Sequence, residues 1–267
     1  FAPLALGKPT PADFVAALGK LGPIQDLIPR RPQIAERTTG EVMGEAAERM
    51  AQRWEIPRAA QDELALRSHH NAAAAIASGR LAGEVTRVDI GGGAWVHSDG
   101  LVRGDTSAEK LARLRPAFAT DGTITAGNAS PLTDGGAAVL LMSEERAKAL
   151  GYEPIGYIRS YAYAALDPGE QLLMAPVLAA PVALARAGLS LRDMDLVEMH
   201  EAFAAQVLSN IKGLASREWA TRAGFSEPVG DVDESRLNVM GGSIAIGHPF
   251  GATGARITTT LCHELAR

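Results

Sequence analysis

Five glycines fall within the fourteen residues Gly241 to Gly254 (GGSIAIGHPFGATG), and this run constrains the fold more than any other part of the chain. Glycine has no Cβ, so it lets two backbones approach closely and adopts positive φ without steric cost. The short segment Asn238 to Met240 leads into the run, and Pro249 follows His248. The pattern predicts a strand, a glycine-rich turn presenting His248, and a helix opened by Pro249 and packed closely through Gly251 and Gly254. A helix N-terminus beside a histidine favours developing negative charge. The plainer alternative is a βα turn that holds a structural histidine, since a lone glycine-rich loop is weak evidence of function. A dinucleotide site is excluded, because the spacing is not Gly-x-Gly-x-x-Gly and no acidic residue follows at the required distance.

Two further segments carry chemistry. Glu198-Met199-His200-Glu201-Ala202-Phe203-Ala204-Ala205 places a histidine where a strand enters a helix. Ligands of open α/β sheets gather at that edge, and two histidines at neighbouring strand ends can both donate to one carbonyl oxygen. Metal ligation by His200-Glu201 lacks a His-x-x-x-His or Cys partner, so no metal is expected. Gly127-Asn128-Ala129-Ser130-Pro131-Leu132-Thr133-Asp134-Gly135-Gly136 reads on its own as a turn and strand entry.

Around these motifs the element pattern changes along the chain. Thr10-Pro11-Ala12-Asp13 signals a helix start, with Phe14, Val15, Leu18 and Leu21 on one face. Thr38-x-x-Glu41 reads as a capping box for a helix whose apolar positions are Met43, Ala46, Ala47, Met50, Ala51 and Trp54. A third helix enters at Pro57 and ends near Gly79, and an irregular stretch around Gly91-Gly92-Gly93 follows. Beyond about Thr123 strands and helices alternate. Strands are expected at 137–142, 155–164, 196–199 and 238–240, and helices at 143–150, 181–187, 202–214 and 249–267. Such alternation implies crossover units and a sheet covered by helices, an α/β fold preceded by roughly 120 helical residues.

The three motifs in this order resemble the thiolase family. The resemblance spans nearly the whole chain, with Met43 to Glu48 and Gln61-Asp62 to Ser68 similar to that family's loop domain. It implies a layered α-β-α-β-α fold, incomplete here, with a helical CoA-binding loop domain at 1–122. The end of the N-terminal core half is then 123–150, and a truncated C-terminal core half is 151–267. His200 stands where many thiolases carry Asn, which resembles the long-chain branch that includes β-subunits of trifunctional fatty-acid-oxidation complexes. The implied activity is acyl transfer: thiolytic cleavage of 3-ketoacyl-CoA by coenzyme A, giving acetyl-CoA and a shortened acyl-CoA. Coenzyme A is a co-substrate, and no cofactor is permanently bound. By the same resemblance His248 activates a nucleophilic cysteine and helps to bind the thioester oxygen. His200 adds to the oxyanion environment, and Ser130, Met174, Ala202 and Phe203 line the pantetheine and acyl pocket.

Neither family cysteine has a counterpart, since the single cysteine, Cys262, reads as a small buried hydrophobe in mid-helix. The chain opens at Phe1 and stops at Arg267 inside a running helix, so both ends are expected to be cut and these 267 residues alone to be inactive. The competing readings are a non-catalytic CoA-binding or scaffold subunit and a condensing enzyme of the same fold. The remaining histidines, His69, His70, His97 and His263, read as surface residues. A net charge of -5 without a dense basic cluster argues against nucleic acid, and the apolar runs are far too short to span a bilayer. A lone cysteine and no signal peptide point to a reducing, cytoplasmic setting. Expected partners are acyl-CoA, a second copy through the core, and the hydratase/dehydrogenase α-subunit of a fatty-acid-oxidation complex. The α-subunit would meet the Phe14 stripe, where membrane contact would be weak.

Overall fold

The structure, a computed structural model, describes residues 35–267; the apolar stripe at Phe14, Val15, Leu18 and Leu21 lies outside the described residues. Helix α1 spans Met43–Arg53, starting later than the Thr38 signal. The cause is local competition. The Glu36 carboxylate accepts from the Thr38 and Thr39 amides at 2.6 Å each and closes a turn there, while Glu45 accepts from the Val42 amide at 3.0 Å and starts the helix. The buried face of α1 is mostly small (Gly44, Ala46, Ala47, Ala51), which allows close approach of a later helix.

Helix α2, Arg58–Ala77, follows Pro57 and is stopped by Gly79 at φ +74°, as the sequence indicates. It buries a polar stripe of Gln61, Asp62, Ser68 and His69, and each of these finds a partner. The stretch read as irregular is a hairpin. Strands β1 (Val88–Gly91) and β2 (Ala94–Val96) pair antiparallel, with Gly91, Gly92 and Gly93 turning at φ +85°, +62° and +82°. Three successive positive φ values are what the glycine triplet supplies.

Among the described residues this hairpin is the only sheet. The expected strands at 137–142, 155–164, 196–199 and 238–240 form no ladder; a single parallel bridge, Val197 to Leu237, is the one β-pairing beside the last two regions. A strand exists only when a neighbour takes its N–H and C=O groups, and residues 137–164 run beside none. The helices fare better. After α3 (Ala108–Ala112) come α4 (Glu144–Leu150), capped by Ser143, and α5 (Ala175–Ala187), halted at Gly188 and longer than the expected 181–187. Next are α6 (Ala204–Leu214), α7 (Arg217–Arg222), α8 (Ser243–Ile246) and α9 (Thr253–Leu265). The last helix begins at Thr253 rather than at Pro249, whose carbonyl accepts from Ala252 N at 3.1 Å and Thr253 N at 3.3 Å in a turn that precedes the helix. Gly251 and Gly254 face open space, so the close packing expected of them does not occur.

Helix α2 sits against α3, α6 and α8, and α1 packs on α6. One core cluster joins Met50, Leu64, Met174, Val207, Trp219 and Ile244; a second joins Ala47, Ile56, Ile124 and Phe203. No described helix is long and apolar enough to cross a membrane.

Candidate functional site

The middle motif ties the other two together. Ala129 bridges antiparallel to Phe203, Ser130 N donates to Ala202 O at 2.9 Å, and Ala204 N donates to Asn128 O at 2.9 Å. Three residues on, Leu132 bridges parallel to His248. The segment from Asn128 to Leu132 therefore fastens the His200 motif at one end and the His248 motif at the other. Asn128 itself is wholly buried. Its Oδ1 accepts from Thr125 N at 2.8 Å, and its Nδ2 donates to Asp62 Oδ1 at 2.9 Å and Thr123 O at 3.1 Å.

The second fastening is Asn238, a non-glycine residue at φ +48°, a conformation asparagine tolerates better than most. Its side chain holds both backbone groups of Met199, accepting from N at 2.8 Å and donating to O at 2.9 Å. It also donates to Glu201 Oε1 at 2.7 Å. Glu201 is buried and receives two further bonds on Oε2, from Ser68 Oγ at 2.7 Å and Ile244 N at 3.2 Å, so this carboxylate caps the start of α8. Burial pushes its pKa up while these hydrogen bonds pull it back. The Gly241-Gly242 pair exists for this arrangement. A Cβ on Gly242 would lie 2.1 Å from the Glu201 carboxyl carbon, and one on Gly241 (φ +78°) would lie 2.6 Å from Ser68 O on α2.

The result is that His200 and His248 meet, with ring centroids 4.0 Å apart and planes inclined by 40°. Each is anchored through Nδ1, His200 to Ser243 Oγ at 2.7 Å and His248 to Thr253 Oγ1 at 2.8 Å. Among the described residues neither Nε2 has a hydrogen-bond partner. Burial, then the neighbouring His248 and Arg256, hold the His200 imidazole neutral, with its pKa down to about 4. Burial followed by Arg256 lowers His248 as well. Both rings are half-buried, so each presents an edge to solvent. Two neutral imidazoles side by side can take one proton from a thiol and donate another to a carbonyl oxygen.

Beneath the pair lies a charged group that sequence reasoning missed. Arg256 is largely buried, donates to Ser243 Oγ at 3.1 Å, and stands 4.0 Å from Glu198. That separation is too long for a hydrogen bond, so desolvation wins over attraction and the Glu198 pKa rises to about 8. Among the described residues no group of three or more His, Cys, Asp or Glu is arranged to hold a metal ion.

The other expected residues divide. Phe203 is buried and meets Phe118 edge-on at 5.9 Å, with Ala202 and Ser130 half-buried beside it. Met174 has no exposed surface at all. It packs in the core against Gly213 and Val177, so in this structure it offers no wall to a ligand. His69, expected at the surface, is buried and accepts from Arg103 N at 3.2 Å. Its position was legible, since Asp62, Ala65, His69 and Ala72 follow helical spacing along one buried face. It lines a cavity of about 310 Å³ with Leu101, Arg103, Lys110, Gly127 and Ile244, beside the histidine pair rather than on it. Cys262 is half-buried rather than buried, and borders a different cavity of about 540 Å³ with Leu140 and Tyr157.

Comparison with known proteins is consistent in direction. Residues 24–145 match the description Thiolase, N-terminal domain, and residues 152–267 match Thiolase, C-terminal domain. A 3-ketoacyl-CoA thiolase of Shewanella woodyi is 50% identical over 95% of this chain and 58% of its own length. One from Shewanella halifaxensis is 49% identical over the same shares. The chain thus spans a little under three-fifths of these curated relatives. Among solved structures, an acetyl-CoA acetyltransferase of Bacillus anthracis superposes with a TM-score of 0.76 at 40% identity, covering 87% of this chain and 55% of that one. Human mitochondrial 3-ketoacyl-CoA thiolase superposes at 0.73 and 34%, covering the same shares. These likenesses carry the layered α/β fold expected from the sequence.

Proposed function

The chain belongs to the thiolase family, and we propose that it supplies the histidine half of an acetyl-CoA C-acyltransferase site that cleaves 3-ketoacyl-CoA with coenzyme A. The observation that carries this reading is the His200–His248 pair, 4.0 Å between centroids, neutral, and anchored on its Nδ1 side. A thioester needs a sulfur nucleophile, because exchange between sulfurs is nearly balanced, and the thiol must lose its proton before attack. His248 takes that proton. Attack on the 3-keto carbon breaks the bond to the α-carbon, leaving the acyl group on sulfur and an acetyl-CoA enolate that is then protonated. Coenzyme A thiol, deprotonated in turn, releases the shortened acyl-CoA. In each step negative charge gathers on a carbonyl oxygen, where His200 donates.

The same proposal places coenzyme A against the loop domain expected at 1–122. The 310 Å³ cavity is lined by Arg103, Lys110, Gly127 and Ile244; Lys110 is ion-paired with Asp105 of the same lining, so Arg103 is the cation proposed to meet phosphate. Ser130, Ala202 and Phe203, on the two segments paired at Ala129 and Phe203, are the residues assigned here to the pantetheine arm. A second copy, the α-subunit partner and a cytoplasmic setting belong to the same proposal.

The test compares two samples, the 267-residue chain and the protein isolated from its source, in 3-ketoacyl-CoA cleavage with and without coenzyme A. Turnover by the isolated protein is expected, and none by the 267 residues, whose one thiol borders a different cavity. Tight coenzyme A binding by the isolated protein with no cleavage would favour the scaffold reading instead. Cleavage by the 267 residues alone would make Cys262 the nucleophile.

A further inference from the structure

Which of its two nitrogens His200 protonates decides whether it can donate to a carbonyl or only accept, and Ser243 stands where that choice is made. The Ser243 side chain is fully buried, and among the described residues its Oγ has two polar neighbours, His200 Nδ1 at 2.7 Å and Arg256 Nη2 at 3.1 Å. A guanidinium only donates, so Ser243 Oγ accepts from Arg256. The hydroxyl proton then has one acceptor within reach, His200 Nδ1. A buried hydroxyl proton left unbonded loses its hydration without compensation, which penalises the alternative in which Nδ1 itself carries a proton and points it at Ser243.

We infer that Ser243, oriented by Arg256, locks His200 in the tautomer protonated on Nε2, making it a standing hydrogen-bond donor towards the site and never a base. The inference rests on the thiolase reading for its purpose but not for its geometry. His248 lacks this lock. The Thr253 hydroxyl that meets its Nδ1 at 2.8 Å has another acceptor, Pro249 O at 3.3 Å, so Thr253 can accept from Nδ1 and leave the His248 Nε2 lone pair open to a thiol proton. Two rings that look alike are thereby given opposite duties, by a serine fed from an arginine on one side and a threonine drained by a carbonyl on the other. Ser243 and Arg256 are positioning residues: neither need touch substrate. The Arg256 guanidinium is itself half-engaged, its Nη1 buried without a hydrogen bond and 4.0 Å from Glu198, so Ser243 is the only side chain it hydrogen-bonds among the described residues.

The test is the nitrogen chemistry of the two rings, read by long-range proton–nitrogen correlation on the full chain labelled with 15N-histidine at neutral pH. His200→Gln and His248→Gln spectra assign the signals. His200 is expected to show a protonated Nε2 and an unprotonated, hydrogen-bonded Nδ1. Ser243→Ala should relax His200 to a mixture of tautomers while His248 signals stay in place, and in the protein isolated with its activity kcat should fall about 10–100-fold with KM little changed. A His200 protonated on Nδ1, or on both nitrogens, overturns the inference, as does an unchanged His200 tautomer in a natively folded Ser243→Ala. If that variant does not fold, the wild-type spectrum decides alone. Turnover with the wrong tautomer defeats this inference and spares the thiolase reading; the expected tautomer without turnover does the reverse.

Discussion

Residues 199–205 and 241–248 lie buried or half-buried in a closed web of hydrogen bonds, while the apolar runs 137–142 and 155–159 lie exposed. In the first region one carboxylate, Glu201, takes bonds from Asn238, Ser68 and Ile244, and Ala204, Ala205 and Ala245 are fully enclosed. In the second, Leu140 is 74% exposed. The difference lies in what each region needs from elsewhere. The polar web finds all its partners among the described residues, on α2, α8 and the turn at Asn238. A strand cannot: every second backbone group requires a neighbour, and apolar side chains without one stay in water. Apolar runs thus register what a sheet demands, whereas the paired histidines register what these residues already provide.

That contrast can be broken by mutation, and the largest effect should come from Gly242→Ala. Its new Cβ would meet a carboxylate 2.1 Å away that is held by three hydrogen bonds and has nowhere to swing. A loss of about 2–4 kcal/mol in denaturant unfolding is expected, from overpacking and broken buried bonds. A melt within about 0.5 kcal/mol of wild type would mean that Glu201 is not wedged against α8.

Glu198 gives the next effect, and it depends on pH. Unfolded, the carboxyl titrates near 4.5; folded, near 8. Between those values the folded state holds a proton that the unfolded state has released, so this group's contribution falls as pH rises. Gln mimics the protonated form and cannot ionise. Glu198→Gln should therefore match wild type near about pH 5 and exceed it by about 1–3 kcal/mol near about pH 9, measured by melting across that range. A stability difference independent of pH would mean that Glu198 is ionised in the fold and paired with Arg256 more closely than 4.0 Å.

The smallest effect belongs to the bare region. Leu140→Ser removes a side chain that is 74% exposed, so the stability of this chain should change by less than about 0.5 kcal/mol. A loss above about 2 kcal/mol would mean that residues 137–142 pack somewhere in solution and would erase the contrast.

What the sequence disclosed follows the same divide. Helix limits were legible at Pro57, Gly79, Ser143 and Gly188 because caps and stops are local chemistry. His200 and His248 were legible because glycine density and strand-end placement are written in consecutive residues. The group that holds them was not. Ser68 reaches Glu201 across 133 residues, and Arg256 of α9 reaches Ser243 of α8 from the far side of the Gly247 to Ala252 turn. His69 was misjudged because a histidine on a helix looks exposed until the positions beside it, Asp62, Ala65 and Ala72, are counted as one buried face. The strands at 137–142 and 155–164 were misjudged for the opposite reason: their apolar content is real, and the neighbours it calls for are not among the described residues.

The most direct test of the central claim is the turnover of His248→Ala in the protein isolated from its source, with acyl-enzyme formation followed as a burst. His248 sits at the meeting of all three motifs, bridged to Leu132, anchored on Thr253 and stacked against His200. If it takes the thiol proton and borders the oxyanion, the burst should vanish and turnover fall by about 10²–10⁴-fold. A burst of near-normal size and rate would contradict the claim and leave His248 as a structural residue of a glycine-rich turn.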